Sequence, residues 1–362
     1  MNGWGQNGWT GGQYSLWRVL LGLGVVSLAV RQLATAGGDP VTLVTALTAL
    51  TLSTAVIVGW WDSPAAALLA TVTAGLIVQD SALSPRLWPL VAMLVLHAVA
   101  PPAPYGSRMA RGRINPDGDW RLPAWLHAGG WIVLLTASVL AVFDADLDET
   151  GWTNLANRVG VVTATILAAA PRTRQLAWLI VGLTWIGVAW TGMVDWWLAG
   201  LVPAWLLSGD PTWVPAGRHQ DNRSGPAWLF YDGHCGLCHR CVRLVLSEDR
   251  REDTIRLAPL QGAAFSEMVE SSVRERLPDS IVLVTPAGEA LCRSAAVLEL
   301  GRLLGGSWRL ASSFARMIPR PLADLAYRLV ATIRHRLFGR PAEACPLIPD
   351  ELRGRFDLRH DE

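Results

Sequence analysis

The first 207 residues of the chain consist largely of long apolar runs that show almost no polar stripe. A helix on the surface of a soluble protein carries polar residues on one face at a period of 3.6 residues, whereas a helix surrounded by lipid does not. We therefore predict membrane-spanning helices. The runs cover residues 14–36, 41–60, 64–78, 87–100, 124–143, 155–170 and 176–207.

These runs approach or reach the roughly 20 residues that cross the hydrocarbon core of a bilayer. The last run is long enough for one tilted span and a second short one, with a break around Asp195. Of the 19 tryptophans, 17 lie at or before Trp213, many of them near the ends of the runs, as interfacial belts do. We predict a helical transmembrane domain over residues 1–208 with about 6–8 spans, followed by a linker over residues 209–225.

The pattern changes in residues 226–362, where short apolar strands alternate with amphipathic helices. This β-α-β-α-β order is typical of an α/β domain. Residues 285–289 read as the turn of a hairpin, and Ser294 is a suitable N-cap for the last helix of the series. The predicted strands are 227–231, 255–258, 280–285 and 290–293, and the predicted helices are 235–247, 263–276 and 294–304.

Charge indicates how the protein sits in a membrane and excludes one class of partner. The net charge of +1 gives no electrostatic reason to expect nucleic-acid binding. All basic residues other than histidine are arginines, and loops 108–121 and 172–174 carry several, so the positive-inside rule places both loops in the cytoplasm. A single span over residues 176–207 would place the C-terminal domain outside, and two spans would keep it inside; Arg218 and Arg223 favour the inside. The arginine-only usage, with abundant Ala, Gly and Pro, indicates a GC-rich genome, and we expect a multi-pass protein of a bacterial or archaeal cell membrane.

Two cysteines, Cys235 and Cys238, follow a predicted strand that ends at Asp232-Gly233. On a helix this spacing puts both on one face with Cα atoms about 5–6 Å apart, a distance that a disulfide can close. The unpaired N–H groups and the dipole of a helix start favour the nucleophilic thiolate at Cys235. Cys238, one turn deeper and less exposed, would then resolve a mixed disulfide. Asp232 would cap this helix or accept a proton, or would act only as a turn residue.

The same segment also has the composition of a metal site. Cys241 continues the spacing of the first two cysteines, although a cysteine on an apolar helix face is more often part of the core. Three thiolates and an imidazole can hold zinc, and the cysteine spacing also resembles part of an iron–sulfur ligand run. The alternative ligand set is Cys235, Cys238, Cys241 and His239.

Several separated motifs between residues 226 and 359 occur in the order found in one known family, the DCC family of predicted thiol–disulfide oxidoreductases, which this part of the chain resembles. The motifs are Tyr231-Asp232-Gly233-x-Cys235-x-Leu237-Cys238, Leu257-Ala258-Pro259-Leu260-Gln261, Asp279-Ser280-Ile281-Val282-Leu283-Val284, Arg293-Ser294-x-Ala296-Val297, and a closing motif from Ile318 to Cys345 that includes Tyr327 and Arg334. The resemblance implies a thioredoxin-like domain over residues 226–362 that reduces disulfides. It implies Cys235 and Cys238 as the redox pair, with no cofactor beyond the disulfide they form.

The resemblance also implies residues that support the redox pair. Tyr231 and Gly233 flank it in the first motif, and Ser280 and Ser294 are expected in the wall of the site. Ser280 occupies the place where a thioredoxin has a proline before the strand that faces the two cysteines, so a small or lipid-borne partner is easier to accommodate than a clamped peptide. Cys345 is expected to have a role that the sequence does not name.

In the apolar half, ionisable residues are candidates for function by default, and Asp195, His97 and His127 are the ones we single out. The segment from Gln13 to Gly22 is similar to the start of the membrane domain of vitamin K-dependent gamma-carboxylase-like proteins. This similarity implies at most a membrane module of that class, and it does not imply carboxylase activity.

The sequence therefore predicts a multi-pass α-helical membrane domain followed by an α/β thioredoxin-like domain with a C-terminal helical extension. Its predicted function is a membrane-anchored thiol–disulfide oxidoreductase of the protein-disulfide reductase type. The expected partners are a disulfide-containing protein or a small thiol, the lipid bilayer and a membrane electron donor. The alternatives are a metal-binding regulatory module on a membrane anchor, and a membrane transport or lipid protein with a regulatory C-terminal domain.

Overall fold

The chain forms two compact units in a computed structural model. The first comprises Met1–Arg111 and Trp120–Asp210, and the second comprises Gly112–Asp119 and Pro211–Glu362. The structure describes residues 7–35, 37–79, 84–144, 152–190, 197–217, 225–249, 254–275, 280–339 and 350–359. Asp195 and Cys345, which were singled out in the sequence, lie outside the described residues.

The first unit is helical, as its apolar runs predict. Among the residues that the structure describes, three helices are long and apolar enough to cross a membrane, namely Gly11–Thr35, Pro40–Val58 and Ala124–Val142, and shorter apolar helices accompany them. The helices are α1 (Gly11–Thr35), α2 (Pro40–Val58), α3 (Asp62–Gln79), α4 (Ser84–Ala98), α5 (Ala124–Asp144), α6 (Trp152–Ala168), α7 (Arg174–Trp190) and α8 (Trp197–Ser208). The predicted helical membrane region is confirmed, while its number of spans stays a prediction.

The ends of α2 show how local sequence sets helix boundaries. The Asp39 carboxylate accepts a hydrogen bond from the Thr42 backbone N–H at 2.9 Å, and Pro40 opens the helix where its missing N–H costs nothing. Gly59 ends the helix with a left-handed φ of 69°, a conformation that glycine adopts without steric cost.

Charged and polar side chains from three helices meet inside this first unit. Arg18 of α1 lies 3.3 Å from the carboxylate of Asp62, and His97 Nε2 lies 3.1 Å from the same carboxylate. Tyr14 Oη lies 2.9 Å from His97 Nδ1. All four side chains are buried, so the group ties α1, α3 and α4 together with paired charges. His127, the third candidate, is buried too, with its Nε2 3.1 Å from the Ser208 carbonyl oxygen.

The second unit is built around a four-stranded sheet with the strand order β2-β1-β3-β4. Strands β1 and β2 are parallel, whereas β1 with β3 and β3 with β4 are antiparallel. The elements are β1 (Ala227–Tyr231), α9 (Gly236–Glu248), β2 (Ile255–Pro259), α10 (Ala263–Met268), α11 (Ser271–Arg274), β3 (Val282–Val284), β4 (Ala290–Cys292), α12 (Arg293–Leu304), α13 (Gly306–Ala315), α14 (Arg320–Phe338) and α15 (Asp350–Arg353). The predicted fold class, an α/β domain with a C-terminal helical extension, is confirmed.

Alternation along β1 divides the core of this unit into two layers. Leu229 packs with α9 and α12 on one face of the sheet, and the adjacent Phe230 packs with α10 on the other. Successive side chains of a strand point to opposite faces, so a strand buried on both sides reads as a continuous apolar run.

Three predicted boundaries are wrong. The helix predicted over 263–276 is two helices, because Val269 takes an extended backbone (φ −119°, ψ 117°) and is buried in the same layer as Phe230. The third strand is shorter than predicted and covers only Val282–Val284. The last helix of the series begins at Arg293 with Cys292 as its N-cap, so Ser294 lies in the first turn and is not the cap.

Candidate active site

A short loop carries the chain from β1 to the first turn of α9. The Tyr231 carbonyl oxygen, at the end of β1, accepts a hydrogen bond from the backbone N–H of Leu260 at 2.8 Å. Beyond it, the Asp232 carboxylate accepts the His234 N–H at 2.9 Å, and the Gly233 N–H donates to the side-chain oxygen of Gln261 at 3.3 Å. The loop is therefore held by its own aspartate and by the residues that follow β2.

Cys235 is the N-cap residue of α9. Its backbone is extended (φ −112°, ψ 113°), and its sulfur accepts a hydrogen bond from the backbone N–H of Cys238 at 3.3 Å. An N-cap acceptor satisfies one of the unpaired donors at a helix start, and a charged acceptor there is further stabilised by the helix dipole. The sulfur of Cys235 thus accepts one of the backbone N–H groups that the start of α9 leaves without a partner inside the helix.

Both cysteines of the pair are buried. Cys235 is 0% exposed and Cys238 is 5% exposed, so the expectation that Cys238 would be the less exposed of the two is wrong. The C-terminal end of α14 lies over the start of α9, where the Gly236 N–H donates to the Gly339 carbonyl oxygen at 3.3 Å. A Cβ at Gly236 would lie 2.1 Å from the Phe338 carbonyl oxygen, so only glycine allows this approach.

Cys238 and Cys241 are held in their neutral, protonated form. Burial raises the pKa of Cys238 well above that of a free thiol, and its hydrogen bond to Cys235 and the charge of Cys235 raise it further. Burial, with a smaller effect of the Cys235 charge, raises the pKa of Cys241 to about 11. The positive charge of Arg334 acts in the opposite direction on the pKa of Cys238.

Arg334 is a residue of the candidate site that its surroundings in the sequence did not predict. It lies on α14, is buried, and places its guanidinium 3.5 Å from the carboxylate of Asp232. Asp232 therefore makes two contacts, one within its own turn and one with α14. In the sequence, only the position of Arg334 in the closing motif of the DCC family indicates a role for it. Its contact with Asp232 could not be predicted, because the two residues are far apart along the chain.

The predicted wall residues Ser280 and Ser294 have different surroundings. Ser280 is buried just before β3, and its hydroxyl donates to the neighbouring Ile281 carbonyl oxygen at 3.2 Å. The Ser294 hydroxyl donates to the Asp324 carboxylate of α14 at 2.5 Å, and this hydrogen bond lowers the pKa of Asp324. Ser294 thereby ties α12 to α14.

An apolar pocket of about 450 Å³ lies beside the two cysteines, with Cys238 in its wall. Its volume is within the range of small-molecule sites, which bury most of a ligand among apolar side chains and a few polar groups. It includes three of the predicted site residues, Cys238, Cys241 and Ser294, and a tyrosine, Tyr327, whose pKa is raised by burial. The lining residues are Leu237, Cys238, Cys241, Ile281, Ser294, Val297, Leu298, Ala315, Ile318, Ala323, Ala326, Tyr327, Val330, Ala331 and Arg334.

The alternative metal set is not assembled in the part of the chain that the structure describes. No three His, Cys, Asp or Glu side chains among those residues are placed where they could share a metal ion. His239 Nε2 lies 2.7 Å from the Gly233 carbonyl oxygen, within hydrogen-bonding distance of the loop before α9.

Comparisons with known proteins relate the C-terminal part of the chain to one family. Residues 229–340 match the DCC1-like thiol–disulfide oxidoreductase family. The uncharacterized protein YuxK of Bacillus subtilis (strain 168) is 30% identical over 132 residues, which are 35% of this chain and 91% of YuxK. A chloroplastic DCC family protein of Arabidopsis thaliana is 30% identical over 121 residues, which are 33% of this chain and 68% of that protein.

The family match is confined to the C-terminal part of the chain. The similarity of segment 13–22 to gamma-carboxylase-like proteins is not shown by these comparisons. No solved structure matches the chain.

Proposed function

This chain belongs to the DCC family of thiol–disulfide oxidoreductases, and from that premise we propose that its C-terminal domain reduces disulfides with Cys235 and Cys238 as the redox pair. The observation that carries the proposal is the position of Cys235, whose sulfur caps α9 and accepts the N–H of Cys238. A thiolate held in this way is the form that attacks disulfides.

The reaction proceeds in two exchanges. The Cys235 thiolate attacks one sulfur of the substrate disulfide, forms a mixed disulfide and releases the other sulfur, which leaves as a thiolate and takes up a proton. Cys238 then loses its proton, attacks the Cys235 sulfur and releases the second substrate thiol. The enzyme ends with a Cys235–Cys238 disulfide, the substrate has gained two electrons and two protons, and two molecules of a thiol, or one of a dithiol, restore the enzyme.

The surroundings of Cys238 assign a part to Arg334. Burial keeps Cys238 protonated while Cys235 is the nucleophile, which separates the attacking and resolving roles. The resolving step requires the Cys238 thiolate, and the nearby charge of Arg334 stabilises that form. Asp232 pairs with Arg334 and accepts a hydrogen bond within the loop. It thereby fixes the position of the guanidinium relative to the start of α9.

The helical unit serves in this proposal as a membrane anchor. It supplies a transmembrane domain over residues 1–208, joined by the linker 209–225 to the redox domain 226–362, which lies in the cytoplasm of a bacterial or archaeal cell. A disulfide-containing protein or a small thiol is the exchange partner, and a membrane electron donor returns electrons to the pair. The three helices long and apolar enough to cross a membrane support the anchoring role.

Trapping of the mixed disulfide tests the assignment of roles. The full chain in detergent is reacted with a small disulfide as wild type, Cys235→Ser and Cys238→Ser, and adducts are located by mass spectrometry. We expect Cys238→Ser to retain one substrate half on Cys235, and wild type to release both halves and form the internal disulfide. An adduct on Cys238 in the Cys235→Ser variant, with no adduct on Cys235 in the Cys238→Ser variant, would show that the two roles are reversed. Disulfide exchange that continues in both variants would contradict the proposal.

A further inference from the structure

Helix α14 carries an apolar stripe on its outer side. The residues Leu322, Leu325, Leu329 and Ile333 are all exposed, and their spacing of three or four places them on one face of the helix. We call these four residues the outer stripe. Single exposed leucines are normal on a protein surface, whereas a continuous apolar face marks an interaction site.

The outer stripe is part of a wider apolar surface. The turn before α14 exposes Met317 to 80%, and the end of α13 exposes Phe314 to 70%. Ile318 of this turn shares the wall of the apolar pocket with Ala326 and Val330 of α14, which shows that the turn and the helix form one surface.

The opposite face of α14 is fixed to the redox domain. Tyr327 accepts the backbone N–H of Ile281 at 3.2 Å, Arg334 pairs with Asp232, and the helix ends against Gly236. These contacts come from the same helix at positions on its inner side. Helix α14 therefore cannot turn about its axis to bury the outer stripe without breaking contacts of the active site.

Positive charge lies beside this apolar surface. Arg320, Arg328 and Arg336 are exposed on α14. Arg316, in the turn before it, is exposed too, but its guanidinium pairs with Glu299 at 2.9 Å. Helices that lie in a membrane interface combine an apolar face with basic residues, because the apolar face enters the acyl boundary while the cations meet anionic headgroups. A long arginine side chain also covers apolar surface with its methylenes while its charge stays in water.

The bilayer is available to this surface because the same chain contains helices long and apolar enough to cross a membrane. We propose that the outer stripe, with Phe314 and Met317, lies in the interface of that bilayer, and that the exposed arginines of α14 contact its headgroups. The edge of the apolar pocket that Ile318, Ala326 and Val330 form would then face lipid. If the proposed function also holds, disulfides dissolved in the membrane reach the redox pair through this edge.

Photo-crosslinking identifies what covers the outer stripe. Benzoylphenylalanine is introduced at Leu329 in the full chain, which is reconstituted in vesicles of phosphatidylcholine with phosphatidylglycerol and irradiated. Ala287, exposed in the turn between β3 and β4, is the matched control position. We expect lipid adducts at position 329 and none at position 287. Adducts with the N-terminal helices or with a second copy of the chain, or the absence of adducts at position 329, would overturn the proposal.

Two sets of variants separate this surface from the redox chemistry. Leu325→Glu in the chain labelled at position 329 should lower the yield of lipid adducts, because it places a carboxylate in the acyl boundary. Arg328→Gln with Arg336→Gln should lower that yield in anionic vesicles to the level found in phosphatidylcholine alone. Exchange with a water-soluble disulfide in detergent should stay at the wild-type rate in both. An unchanged yield of lipid adducts in both would contradict the proposed surface, while loss of exchange in wild type would contradict only the proposed function.

Discussion

Arg18 pairs with Asp62 in the helical unit and Arg334 pairs with Asp232 in the second unit, but of these two pairs only the second lies beside cysteines. In the helical unit, Asp62 lies 3.3 Å from Arg18 and 3.1 Å from His97, and the three side chains come from three different helices. In the second unit, Arg334 lies 3.5 Å from Asp232, opposes the rise in the pKa of Cys238 and forms part of a pocket wall. Charge in the interior is therefore a stronger indication of an active site where it lies next to thiols and a pocket.

Removal of the nucleophile should have the largest effect. Cys235→Ser in the full chain is expected to lower the rate of disulfide exchange by about 1,000-fold or more, because a serine hydroxyl is not ionised and does not form the mixed disulfide. The rate is measured with a small disulfide under single-turnover conditions. Cys292→Ser, which removes a free thiol at the start of α12, is the control and should keep the wild-type rate. Comparable losses in both variants would show that Cys235 has no special role.

The corresponding change in the helical unit should affect stability and leave the chemistry intact. Asp62→Asn leaves Arg18 as a buried charge without its carboxylate, and loss of one partner of a buried pair costs about 3–5 kcal/mol. Unfolding of the full chain in detergent measures this cost. Asp39→Asn is the control, because asparagine caps a helix about as well as aspartate. A stable Asp62→Asn variant that has lost disulfide exchange would contradict the difference between the two pairs.

Arg334 should influence the resolving step through its charge. In Arg334→Gln the pKa of Cys238 rises further, the thiolate fraction at a given pH falls, and release of the second product slows about tenfold at pH 7 for each unit of that rise. The pH dependence of product release should therefore move to higher pH. Arg328→Gln, on the exposed side of the same helix, is the matched control. Identical pH profiles for wild type and Arg334→Gln would remove Arg334 from the mechanism.

Gly236→Ala tests the cover that the end of α14 forms over α9. The new methyl group would meet the Phe338 carbonyl oxygen, and overpacking of this kind costs about 1–3 kcal/mol. The segment must move away, so alkylation of the buried Cys235 should become faster while the fold is retained. Gly354→Ala is the control, since a Cβ there meets no atom within 4 Å. An unchanged alkylation rate in Gly236→Ala would show that the segment does not limit access.

The smallest effect is expected at Cys241. Its pKa of about 11 leaves it protonated at neutral pH, so Cys241→Ser should change the exchange rate by less than about twofold. Alkylation of this thiol should become appreciable only as the pH approaches its pKa, which a pH series of trapped thiols measures. A large loss of exchange in Cys241→Ser would instead assign a third cysteine to the chemistry.

Local patterns in the sequence predict only the part of the site that one strand, one loop and one helix form. The run into Asp232-Gly233 and the spacing of Cys235 and Cys238 predict β1, α9 and a cysteine at the helix start, all of which the structure contains. The exposure of the two cysteines could not be predicted in this way, because the cover over Gly236 comes from Phe338, far away along the chain. Arg334 was missed as a site residue for the same reason.

The helix predicted over 263–276 shows that a local preference for helix does not always give one continuous helix. Its residues favour a helix locally, but burial of Val269 against the sheet requires an extended backbone and divides it. Tertiary packing thus overrides a moderate local preference, as it commonly does.

A redox titration of the full chain in detergent shows whether Cys235 and Cys238 form a redox pair. The protein is equilibrated in glutathione buffers of graded potential, its thiols are trapped, and each cysteine is quantified by mass spectrometry. We expect one reversible two-electron transition confined to Cys235 and Cys238, with Cys241 reduced throughout. Cysteines that remain reduced across the series, or a transition that pairs Cys235 with a cysteine other than Cys238, would contradict this expectation.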